Sequence, residues 1–161
     1  MFDEAARILH VAGVIIWIGH NWSNVVHTSV YRPMLAAEPE AAVKDVAIAA
    51  SKREHGIFRY ASVVVLATGI YMLWQREVLT STLLLSGPSM ALSLGVWLGL
   101  LMVSNLWFVM WPHQQKVLGF VPAEPDERLR CSRVTFLSSR VNTYLSVATL
   151  TLMIAGAHGV F

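Results

Sequence analysis

The stretch "ILHVAGVIIWIGHNWSNVVHTSVY", Ile8–Tyr31, contains no Asp, Glu, Lys or Arg. About 20 mostly apolar residues suffice for a helix to cross the hydrocarbon of a bilayer, so this run is long enough to span one. Within it "WIGHNWSNVVH", Trp17–His27, carries two histidines and two asparagines. Polar side chains at membrane depth are costly; they serve a function or bond to neighbouring helices. The rest of the chain decides whether a membrane is the right setting.

Composition points into the bilayer. Of 161 residues, 55% are hydrophobic and 14% charged, against about 25% charged in an ordinary soluble domain. Mean hydropathy is +0.55. Three more charge-free runs follow the first: Tyr60–Gln75, Val78–Gln115 and Val141–Phe161. Tyr60–Gln75 reaches span length when extended back past Arg59 through Phe58 and Ile57. Val78–Gln115 is too long for one helix and is broken by "SGPS" at Ser86–Ser89. Pro88 suits a helix start and Pro112 a stop. The predicted architecture is all-α: a single domain forming a four-helix transmembrane bundle, with spans at 8–31, 56–75, 88–111 and 135–158. The alanine-rich, mixed-charge connection before the second span predicts a helical extension over 39–55. "VPAEPDERLR" predicts a loop that opens the fourth helix, with Pro125 and acidic residues in its first turn.

Charge sets the orientation. Ten of the twelve Lys and Arg residues lie between Arg32 and Arg59 or between Lys116 and Arg140; only Arg7 and Arg76 lie elsewhere. The positive-inside rule puts those two connections in the cytoplasm and both termini on the periplasmic side. The expected location is a bacterial inner membrane, crossed several times, with the lipid bilayer as first partner. The leading "MFDEAAR" is acidic and does not resemble a secretory signal. A single cysteine, Cys131, excludes an internal disulfide and any Cys-based cluster. There is no HExxH, CxxC, P-loop or GxGxxG, so zinc hydrolase and nucleotide chemistry have no footing. No nucleic-acid partner is expected.

With that topology the six histidines sort by depth. His10 and His158 sit near the outer face, and His27, His55 and His113 near the inner face. His20 lies between, about 15 Å below His10. A neutral imidazole is a good ligand for haem iron, and two histidines at one depth on different helices are what a bundle needs to hold a b-type haem. His10 with His158 meets that condition outside, and His27 with His55 or His113 inside; these pairs predict one or two haems. Arginine suits the haem propionates, so Arg7 at the outer layer and Arg59 and Arg140 at the inner layer complete the candidate set. Histidines at span ends also sit at headgroup level without any ligand, and Asn24 could satisfy His20.

Three stretches resemble one family. "LHVAGVIIWIG" (Leu9–Gly19), "NLWFVMWPHQQKVL" (Asn105–Leu118) and "SRVNTYLSVATLTLM" (Ser139–Met153) are similar, in order, to segments of the membrane domain of bacterial cytochrome-c-linked urate oxidases. That family's membrane domain has more spans and is followed by a cytochrome c domain with a C-x-x-C-H site, a motif this chain lacks. His113 stands where the family usually has asparagine. The resemblance implies a membrane scaffold whose polar features are His10, the W-P-x-Q segment and the Arg140–Asn142–Tyr144 helix. It also touches a distantly similar haem-containing protoporphyrinogen oxidase.

The function expected from these features is electron relay by a membrane-embedded b-type haem protein, as a homo-oligomer or as a subunit of a larger redox complex. A cytochrome c or a quinone would be its redox partner. Two alternatives stand beside it: a haem-free structural or assembly subunit, and an oxidase of the urate or porphyrinogen type. No acid/base pair marks an independent catalytic site.

Overall fold

The computed structural model describes the backbone of residues 2–26 and 42–159, and the side chains of residues 2–23 and 56–159. All regular structure among these residues is helical. Helix α1, Phe2–Val26, places Asp3 and Glu4 in its first turn, where the helix dipole favours negative charge. Helix α2 runs without interruption from Ala42 to Gln75, about 51 Å at the usual rise. The predicted extension and second span are thus one element over 42–75, and residues 39–41 lie outside the described set.

After α2 the chain turns sharply. Glu77 and Leu85 take left-handed backbone angles (φ 57° and 54°) on either side of the short helix α3, Leu79–Leu83. The sequence analysis places no element between the second and third spans. Ser89 caps the next helix, its hydroxyl accepting from the Leu92 amide at 3.2 Å. Helix α4 therefore begins at Met90 and not at Pro88.

Nor does this helix stop at Pro112. Met90–Ser104 leads into a π-helical segment, Asn105–Met110, and then into α5, Trp111–Val117. In a regular helix Pro112 would leave the Phe108 carbonyl without its donor and press its ring against it. The wider π turn lies at that place and lets the helix pass the proline. The last helix, α6, Pro125–Ala157, opens as expected with a proline in its first turn followed by Asp126 and Glu127.

Two helical pairs make up the packing. Helix α1 lies on α2 so closely that a Cβ at Gly13 would come 2.8 Å from Val65 Cγ2. Helix α4 lies on α6 closer still, since a Cβ at Gly156 would sit 2.6 Å from the Leu92 backbone nitrogen. Trp17, Ile18, Ala61, Met102, Leu106 and Met110 form the apolar centre that joins the pairs. Polar side chains fill the rest of the interior. Asn142, Ser62, Ser93 and Ser146 are fully buried. Asn142 donates to the Met102 carbonyl at 3.1 Å and accepts from Asn105 Nδ2 at 2.8 Å. The Thr143 hydroxyl donates to the Ser139 carbonyl at 3.0 Å and lies 3.3 Å from the Asn21 carbonyl, and the Trp22 indole donates to Ser146.

The outer surface is apolar. Ile8, Ile15, Phe108 and Ile154 are each at least 60% exposed. Two stretches, Gly56–Gln75 and Met90–Val117, are long and apolar enough to cross a membrane.

Candidate functional site

His10 is half-buried on the α2 side of α1. Its Nδ1 lies 3.0 Å from the Thr68 hydroxyl. That hydroxyl has a single proton, and it goes to the Val64 carbonyl at 2.6 Å. Thr68 can therefore only accept from the imidazole, which assigns the proton to Nδ1 and leaves the lone pair on Nε2. The ring rests on Gly69, where a Cβ would come 3.2 Å from His10 Cε1. Glycine at 69 makes room for the imidazole, and threonine at 68 sets its tautomer.

Donation through Nδ1 recurs at two other histidines. His113 Nδ1 lies 2.6 Å from the Val109 carbonyl, and His158 Nδ1 lies 2.9 Å from the Ile154 carbonyl. A carbonyl only accepts, so both rings donate through Nδ1. His158 bonds to its own helix and His10 to α2, so no described contact brings this predicted outer pair together. His20 is buried and lies flat on Phe58, with ring centroids 3.7 Å apart and planes 10° apart. His27 lies outside the described residues, as does the side chain of His55, although residue 55 itself belongs to α2.

The three predicted arginines differ. Arg7 pairs with Asp3 on its own helix, at an exposed position. Arg59 is stacked in an aromatic box, its guanidinium carbon 3.6 Å from the Trp111 ring centroid, 5.4 Å from that of Trp107 and 5.0 Å from that of Tyr60. Its Nε and Nη1 are buried without a hydrogen-bond partner. Arg140 stands over Phe136 at 4.7 Å.

Thr68 carries no sequence signal beyond a polar residue in an apolar run, whereas Gly69 is legible there as a glycine that leaves room beside its helix. Trp17 Nε1 and Asn21 Nδ2, four residues apart on one stripe of α1, are buried donors without a partner. Asn105 and Asn142 were visible inside the quoted segments, but not their contact. The bond between them joins two of the three segments that carry the family resemblance. At the N-terminal end of α1 an apolar groove between α1 and α2 is lined by Phe2, Ala5, Ala6, Leu9, Ala67, Thr68 and Tyr71.

Among the described residues no three His, Cys, Asp or Glu side chains converge as a metal-binding group. No family model matches the chain, and neither a curated protein nor a solved structure matches it.

Proposed function

We propose that the chain is a four-helix membrane protein of the bacterial inner membrane that holds b-type haem and relays electrons, as a homo-oligomer or within a larger complex. Helices α1 and α6 would add two crossings to the two apolar stretches, with both termini periplasmic. Their exposed isoleucines, Ile8, Ile15 and Ile154, support this, because a water-facing surface rarely gathers so much apolar area.

The observation that carries the haem reading is His10. A ligating histidine commonly donates its second nitrogen to an oxygen that fixes its tautomer and orientation. His10 has that arrangement through Thr68, on a floor provided by Gly69. His10, supported by Thr68 and Gly69, would be the residue that holds the haem iron. When bound, haem iron supplies a one-electron acceptor and donor; the protein's part is to hold Nε2 deprotonated and aimed. His158, His27, His55 and His113 are the remaining candidate ligands, and a cytochrome c or a quinone the redox partner. An oxidase of the urate or porphyrinogen type would share this scaffold, as the resemblance of Leu9–Gly19, Asn105–Leu118 and Ser139–Met153 suggests.

Absorption spectroscopy of the detergent-purified protein tests the proposal. A reduced-minus-oxidised α band of b type is expected, and His10→Ala should remove the haem bound at the outer layer. A colourless wild type sinks the proposal. It would favour a haem-free assembly subunit, the reading to which the own-helix bonds of His113 and His158 lend support.

A further inference from the structure

Among the described residues Arg59 is a cation without a counter-charge: no acidic side chain pairs with it, and its buried Nε and Nη1 meet no acceptor. Lys116, by contrast, has Glu127. Aromatic faces attract a guanidinium, but they do not neutralise it. A partly desolvated charge left unpaired is costly.

The surroundings specify what is missing. Phe58 stacks on His20, and Ala61 packs in the cluster with Trp17, so Arg59 lies at the depth of α1 residues 17–21. Trp17 Nε1, Asn21 Nδ2 and Arg59 Nε and Nη1 are buried N–H donors without an acceptor at that depth. Tyr60, which forms one wall of the box, is 58% exposed, and Ile57 nearby is 60% exposed. An acceptor can approach from that surface, and apolar matter would cover what lies beside it. Arg59 also stands near the start of the apolar stretch Gly56–Gln75, among the aromatic residues typical of a membrane boundary.

We infer that Arg59, held on Trp111 and flanked by Trp107 and Tyr60, is a binding site for an oxyanion attached to an apolar body. Arginine pairs well with both phosphate and carboxylate. Two sources present that chemistry here: the phosphate of an anionic phospholipid, and the propionate of a bound haem. The second source rests on the haem reading above; the first does not.

Native mass spectrometry of the full chain in detergent, with added phosphatidylglycerol or phosphatidylcholine, separates them when haem is quantified on the same samples. If the source is lipid, the wild type retains phosphatidylglycerol in preference to phosphatidylcholine. Arg59→Gln then loses that preference, with binding about tenfold weaker for one lost charged hydrogen bond. If the source is haem, the wild type shows no lipid preference, and Arg59→Gln lowers haem occupancy or shifts its midpoint potential while Arg59→Lys restores part of it. A wild type that retains both lipids equally and holds no haem overturns the inference, whether or not the variant folds. So does an Arg59→Gln protein that matches the wild type in lipid preference, haem occupancy and potential. A protein without haem that still selects phosphatidylglycerol through Arg59 would sink the cytochrome and keep the site.

Discussion

Single side chains decide what each helix can offer. His10 could be recognised in the sequence as a polar residue in an apolar run, yet Thr68 could not be recognised as its partner. That pairing depends on the register of α1 on α2, which follows from the close approach of Gly13 to Val65. Thr68→Val keeps the shape and removes the acceptor, so His10 loses the bond that fixes its tautomer. If His10 binds iron, the variant should keep the fold but bind haem about 10–100-fold more weakly, as is usual when such a supporting partner is lost; haem titration of the apo-protein measures this. The Asn142 side chain presents a separate case, because it donates to Met102 and accepts from Asn105 in a fully buried position. Asn142→Ala should lower thermal stability in detergent by about 1–2 kcal/mol, through two orphaned partners and lost packing. An unchanged melting temperature would mean that water replaces the amide.

Elements show where the sequence was legible and where it was not. Helix existence followed from charge-free runs, and the start of α6 from Pro125 with its acidic neighbours. The π segment escapes a sequence prediction in which Pro112 marks a stop. In the structure Met102, Leu106, Met110, Gln114 and Leu118 are all buried, at intervals of four. At 100° per residue each such step overshoots a full turn by about 40°, and four steps would carry the last residue nearly to the opposite face. The wider turn at 105–110 absorbs that drift. Helix pairing gives a sharper contrast between two glycines. A Cβ at Gly156 would collide with the Leu92 backbone, whereas nothing lies within 4 Å of one at Gly19. Gly156→Ala should therefore destabilise by about 1–3 kcal/mol, while Gly19→Ala should be neutral or gain up to about 1 kcal/mol from helix propensity. Thermal unfolding of the two variants side by side checks both.

At the scale of the whole molecule, orientation and tethering are open to test. Cys131 is buried, so in a Cys131→Ser background Thr80→Cys and Glu124→Cys serve as reporters, both at exposed positions. In intact cells an impermeant maleimide should label Thr80→Cys, and it should reach Glu124→Cys only after permeabilisation; the reverse pattern would invert the topology. The connection between α5 and α6 is tied by the Lys116–Glu127 pair. The hydrogen bond from Lys116, and then its charge, hold the Glu127 carboxyl below its ordinary value of 4.5. A carboxyl depressed in the folded state contributes stability above its unfolded value and loses it as pH falls through the folded one. The gap in thermal stability between wild type and Glu127→Gln should thus be constant near neutrality and close in acid, below about pH 4.5. Both groups are exposed, so the gap should be small. Charge distribution predicts the overall orientation, which the labelling tests; His27 and the side chain of His55 lie outside the described residues.

The π turn also bears on ancestry. Such a turn amounts to one extra residue in a helix, retained because the packing around it has adapted. A related chain one residue shorter between Asn105 and Met110 could be regular α-helix throughout. Its counterpart of Trp111 would then be rotated by about 100° away from Arg59. An insertion or a deletion, not a substitution, would be the step by which such a lineage gains or loses the aromatic seat of its arginine.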